Sequence, residues 1–267
     1  VRRDRSAGFR AETSGGTFVA RQVVVATGGF SGPVIPAFGR RLDPRVAQLH
    51  SSAYRNPDDV PGGHVVVVGA GNTGVQIAGE LAAAGRRVTL AASTVGRALP
   101  QRLLGQDLFR WFDLLGTMDV PPESRIGRRL EAENTIVGTD LRALFRVVDR
   151  ARRVVDAQGA GVVLADGRVI EPHAVVWATG FRPHYPWLHV PVLDDSGAPI
   201  HFRGVTDVPG VELLGLPWQR NRGSALLGFV GRDAAVCAER LGRRLAASPD
   251  AAPSSRMGIV FATSARG

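Results

Sequence analysis

The sequence predicts an α/β fold built on parallel sheets, and three observations carry that prediction. A valine run, His64-Val65-Val66-Val67-Val68, leads into the glycine turn Gly69-Ala70-Gly71-Asn72-Thr73-Gly74 and then into an alanine-rich stretch of helical period. A second apolar run, Val88-Thr89-Leu90, follows one helix length later. The strand ending Val24-Val25-Ala26-Thr27-Gly28 recurs as Val176-Trp177-Ala178-Thr179-Gly180, each copy behind a turn glycine, Gly16 and Gly167. Strand, tight turn, helix and strand in this order make the βαβ unit of a Rossmann-like three-layer domain that binds a dinucleotide. A repeated ending implies two such domains, yet the glycine turn occurs once. The expectation is a two-dinucleotide architecture with its first βαβ unit missing.

The elements follow in order. Residues 8 to 29 read as short strands around the Ser14-Gly15-Gly16 turn, closing on Val23-Val24-Val25. Without a first strand beside it, that valine edge is expected to lower solubility or recruit another copy of the chain, which leaves a homo-oligomer open. Phe30 to Gly63 carries five prolines and no helical period, so it reads as an irregular connection with a domain boundary near residue 60. Residues 64 to 68 form a buried parallel strand, Thr73 to Ala84 a helix stopped by Gly85, and Val88 to Leu90 the next strand. Leu104, Leu108, Trp111, Phe112 and Leu115 recur at helical spacing and predict a core-facing helix within 100 to 116. A second helix is expected from Asp140 to Val155, and a hairpin from Val162 to Ile170 turning at Asp166-Gly167. A short strand at Glu212 to Gly215 and a helix from Asp233 to Ala246 complete the fold, ahead of a flexible tail over 247–267.

Composition excludes several kinds of chemistry. With 44% hydrophobic residues in 267, the chain can bury a sizeable core. All 33 basic residues are arginine, which removes Schiff-base lysine chemistry, and their scatter without aromatic interleaving argues against nucleic acid despite a net charge of +9. The single Cys237 allows neither an internal disulfide nor a CxxC pair. His173, His184 and His189 lack metal-ligand spacing, so no metal is expected. No 18-residue apolar stretch predicts a membrane span, and a cytoplasmic location is expected.

In a chain with 33 glycines a lone GxGxxG is weak, so its context decides. Here Gly69 permits the turn, Gly71 lets the backbone reach a pyrophosphate, Gly74 lets helix and strand approach, and the helix N-terminus offers free N–H groups. An NAD site places a carboxylate after the second strand. Between Leu81 and Gln106 there is none, whereas Ser93 and Arg97 stand just beyond Leu90, so NADP is favoured.

These residues carry a resemblance. The runs Val24 to Gly28, His50-Ser51-Ser52-Ala53-Tyr54, Gly69 to Gly74, Trp177-Ala178-Thr179-Gly180-Phe181-Arg182-Pro183 and Gly215-Leu216-Pro217-Trp218-Gln219 resemble the flavin-containing monooxygenase superfamily, nearest its bacterial FAD/NAD(P)-dependent, potassium-transport-type flavoproteins. The resemblance implies residues 1–60 as the remnant of an FAD-binding domain, 61–182 as an NAD(P)H-binding domain, and 183–246 as the return to the FAD domain. It implies that Gly69, Ala70, Gly71, Asn72, Thr73 and Gly74 hold the NADP pyrophosphate, that Ser93 and Arg97 approach its 2′-phosphate, and that Thr179 and Gly180 border the nicotinamide. Ala26, Thr27 and Gly28 would face FAD, with Gly215, Trp218 and Gln219 along the flavin. In that family NADPH reduces FAD and the reduced flavin takes up O₂ as a peroxide that oxygenates a small-molecule substrate. No side chain stands out as a general acid or base. Because the FAD glycine turn is not in the sequence, FAD binding is expected to be weak or absent in this chain, and a non-catalytic NADP-binding module or the degenerate product of a truncated gene is the rival expectation.

Overall fold

The computed structural model describes residues 1–4 and 8–247, so of the expected tail only Ala247 lies among the described residues. The chain divides into two compact units, one comprising Pro33–Phe112 and Ala132–Phe181, the other Val1–Gly32, Asp113–Glu131 and Arg182–Gly267. The division falls at Gly32 and not near residue 60. The reason is Ala47–His50, a strand within the supposedly irregular connection, which pairs in parallel with Ala174–Trp177 and so belongs to the first of these units.

That unit is built on a five-stranded sheet in the order Asp149–Ala151, Arg87–Ala91, His64–Val68, Ala174–Trp177, Ala47–His50, with every neighbouring pair parallel. Both faces are covered, which is why the central strands His64–Val68 and Ala174–Trp177 are near-continuously apolar rather than alternating. Val65, Val67, Leu90 and Val176 point to one face and pack against Val75, Ala78 and Leu81 of the helix Asn72–Ala83. Their sequence neighbours Val66, Val68, Ala91, Val175 and Trp177 point to the other. There they meet Val154, Ala157, Val162 and Leu164 of an antiparallel layer formed by Val154–Gln158, Gly161–Leu164 and Val169–Ile170. Helix, parallel sheet and antiparallel sheet make the three layers. The Asp166-Gly167 hairpin forms as expected, with Gly167 at φ +84°.

Two expected helices are corrected. From Asp140 to Val155 only Leu141–Leu144 is helical, capped by the Asp140 carboxylate, which accepts from the N–H groups of Arg142 and Ala143. Beyond it the chain turns, and Asp149–Ala151 pairs in parallel with the open edge of Arg87–Ala91. Within 100 to 116 the helix is Leu108–Leu114, because Leu104 and Gly105 turn the chain at φ +51° and +76° between the pairing residues Leu103 and Gln106. Leu104 is accordingly 84% exposed and not part of a core.

The other unit begins with an antiparallel meander of Arg2–Asp4, Gly8–Thr13 and Gly16–Ala20. Val23–Val25 does have a neighbour, contrary to the expected bare edge: Val211–Leu213 runs parallel to it, and Val25 is buried. Phe9, Val25, Tyr185, Leu188, Val211 and Leu213 share its core. The helix Val230–Ala246 carries Arg240 to the buried Glu212, whose Oε2 accepts from Nη2 at 2.9 Å and Nε at 3.2 Å. Burial and the neighbouring Glu212 push the Cys237 thiol up to about 12, which leaves it an unreactive core group. Among the described residues no helix is long and apolar enough to cross a membrane.

Candidate dinucleotide site

The glycine turn is required by contacts that any side chain would break. Gly69 sits at φ +106°, and a Cβ there would lie 2.3 Å from the carbonyl oxygen of Ala178. At Gly74 a Cβ would lie 1.9 Å from the carbonyl oxygen of Gly69, so helix and turn touch backbone to backbone. Gly71 is different: open space surrounds it. It is the N-cap of the helix, and no side chain caps the first-turn N–H groups, so an anion can approach them directly. Asn72 is occupied elsewhere. Its Nδ2 donates to the Thr135 carbonyl at 3.0 Å and its Oδ1 accepts from the Val137 N–H at 2.8 Å, so only its backbone faces the turn. Thr73 is exposed in the first turn.

The Ala178-Thr179-Gly180 segment is fixed just after its strand. The Thr179 hydroxyl donates to the Val34 carbonyl, and the Gly180 carbonyl accepts from the Val34 N–H at 3.1 Å. Gly180 stands at φ +79°, where glycine is at ease. The same carbonyl accepts from Nε2 of His50 at 3.0 Å, while Nδ1 of His50 accepts from the Ser52 N–H at 3.1 Å and from its hydroxyl at 2.9 Å. His50 was part of a quoted motif without a role; the structure makes it the clamp of the Gly180 carbonyl, in its neutral Nε2–H form.

That assignment has a pH consequence. Burial lowers the pKa of His50, as it does for His64 and His201. The unfolded chain protonates these rings near the ordinary 6.5, the folded protein only at lower pH, so their contribution is complete above about pH 6.5 and is lost as pH falls through it. The melting temperature is therefore expected to fall between about pH 7.5 and about pH 5.5, a scan that thermal denaturation performs directly. A flat profile across that window would contradict the neutral-ring assignment.

Ser93 and Arg97, expected together at the 2′-phosphate, stand in different settings. Ser93 lines a cavity at the C-terminal ends of the strands Arg87–Ala91 and Asp149–Ala151. Arg97 begins a separate two-stranded pair with Thr135–Val137, is exposed, and does not line the cavity.

In the other unit, Thr27 Oγ1 is buried without a hydrogen-bond partner, an orphan that suits a polar ligand group. Gly28 follows at φ +71°, its carbonyl accepting from the Tyr185 hydroxyl at 3.2 Å. Gly215 and Trp218 also adopt positive φ, +81° and +56°. Gln219 is buried and engaged by its own loop, Nε2 donating to Leu213 at 2.7 Å and Oε1 accepting from Leu216 at 3.1 Å. These two bonds hold the shape of the loop.

The chain is similar to known oxidoreductases in sequence and in fold. Residues 1–101 match the family model described as pyridine nucleotide-disulphide oxidoreductase. A CzcO-like oxidoreductase of Geobacillus kaustophilus is 43% identical over 230 residues, covering 85% of this chain and 66% of its own length. The CzcO oxidoreductase of Bacillus subtilis is 37% identical, again with 66% of its length spanned. Among solved structures, a flavin-containing monooxygenase from Stenotrophomonas maltophilia superimposes with a TM-score of 0.68 at 26% identity, over 88% of this chain and 67% of that one.

Proposed function

Because this chain belongs to the flavin-containing monooxygenase superfamily, we propose that it serves an FAD- and NADPH-dependent oxidoreductase of the monooxygenase type, acting on a small molecule with O₂. The observation that carries the reading is the uncapped helix N-terminus behind Gly71, with Gly69 and Gly74 held by backbone contacts that exclude every side chain. NADPH, when bound, supplies two electrons, and FAD, when bound, relays them to O₂, so that one oxygen atom enters the substrate and the other leaves as water.

The residues of this chain bind and orient. The backbone from Gly69 to Gly74 would take the NADP pyrophosphate, the open space over Gly71 letting it approach. Thr179 and Gly180 would border the nicotinamide, their backbone fixed by Val34 and by the His50 clamp. Fixing a loop before the ligand arrives reduces the ordering cost of binding. Ala26, Thr27 and Gly28 would meet FAD, with the unpaired Thr27 hydroxyl supplying a hydrogen bond, and Gly215 and Trp218 would follow along it.

Calorimetric titration of NADP⁺, followed by NADPH oxidation and oxygen uptake with FAD supplied, tests the proposal. Saturable NADP⁺ binding and oxygen-dependent NADPH consumption are the expected results. Failure to bind NADP⁺ would sink it.

A further inference from the structure

The cavity beside Ser93 has a volume of about 440 Å³ and lies in the crevice beyond the carboxyl ends of two adjacent parallel strands, where α/β sheets take their ligands. Its charged lining is Arg150, Arg152, Arg168 and Asp166, with the hydroxyls of Ser93 and Thr94 beside them. Asp166 is already paired to Arg168 at 3.0 Å, which neutralises the one carboxylate that would repel an anion. Arg150 and Arg152 have no carboxylate partner among the described residues. Arg150 lies in the strand Asp149–Ala151 and Arg152 follows its last residue, and both line the cavity. The guanidinium of Arg150 is stacked on Phe145, 4.6 Å from the ring centroid, which holds the cation in place before any ligand arrives.

Two unpaired guanidinium groups and two hydroxyls around a cavity of ligand size call for a compact dianion. We infer that Arg150 and Arg152, rather than Arg97, are the residues by which this chain selects the 2′-phosphate of NADP. The inference rests on the coenzyme reading above. Arg97 is not among the residues that line this cavity, whereas the register of the strands brings the neighbouring strand to it. Arg150 pairs with Leu90 and Ala151 with Ala91, so the cations emerge at the level where the Arg87–Ala91 strand ends and Ser93 begins. Guanidinium donors suit phosphate oxygens in a forked geometry that a hydroxyl alone cannot offer.

The test is calorimetric titration of NADP⁺, NAD⁺ and adenosine 2′,5′-bisphosphate into the 267-residue protein and its variants Arg150→Gln, Arg152→Gln and Arg97→Gln. All three arginines are exposed, so each variant is expected to fold. The parent should prefer NADP⁺ over NAD⁺ at least about tenfold. Arg150→Gln and Arg152→Gln should each weaken NADP⁺ and the bisphosphate about tenfold or more while leaving NAD⁺ in place. If the preference survives both substitutions, or disappears with Arg97→Gln alone, the assignment is wrong while the coenzyme reading stands. Binding of neither dinucleotide by the parent overturns both.

Discussion

Gly74→Ala is expected to lower the stability of the parallel-sheet unit by about 3 kcal/mol and to abolish NADP⁺ binding. The added carbon would stand 1.9 Å from the Gly69 carbonyl oxygen, which belongs to the backbone and has no rotamer by which to withdraw. Helix propensity works the other way, since alanine inside a helix gains about 1 kcal/mol over glycine. The clash outweighs that gain because it can be relieved only by parting the helix from the turn, and with it the N–H groups that await the phosphate. Urea denaturation and NADP⁺ titration read the two effects separately. A variant as stable as the parent would show that the close approach of turn and helix is not needed.

The second large effect is expected at Arg240. Glu212 is 1% exposed in the middle of a strand, and the Arg240 guanidinium is its only ion-pair partner among the described residues. Arg240→Ala would leave a buried carboxylate uncompensated, at a cost of about 3 kcal/mol. Adding Glu212→Gln to the same protein should recover more than half of the loss, because an amide carries no charge to bury. Denaturant melts of the single and double variants check this, and an Arg240→Ala protein that melts like the parent would refute it.

The βαβ unit was legible because its signals are local: Val65 to Val68, the Gly69 turn and the Ala/Leu helix each declare themselves within a few residues. What escaped was decided by partners distant in sequence. Ala47–His50 is a strand because Ala174–Trp177 offers an edge, while the prolines around it say only that a helix is excluded. Arg150 and Arg152 were hidden inside a stretch whose periodicity read as helix, and only the pairing of Arg150 with Leu90 brings them to Ser93. Asn72 and Gln219 show the reverse case. Their residue types suit ligand contact, yet their amides are held by nearby backbone, which no motif records.

One feature of the sheet bears on how the molecule is made. Ala174–Trp177 is the last strand of the parallel sheet to be synthesised, and it lies between two earlier ones, His64–Val68 and Ala47–His50. Until residue 177 has left the ribosome, those two strands face an empty lane, and the backbone groups on that side are unpaired. Pairings so remote along the chain form slowly, and open apolar edges invite association between nascent chains. Heterologous yield should therefore respond to the speed of translation and to chaperone supply more than to the stability of the finished protein.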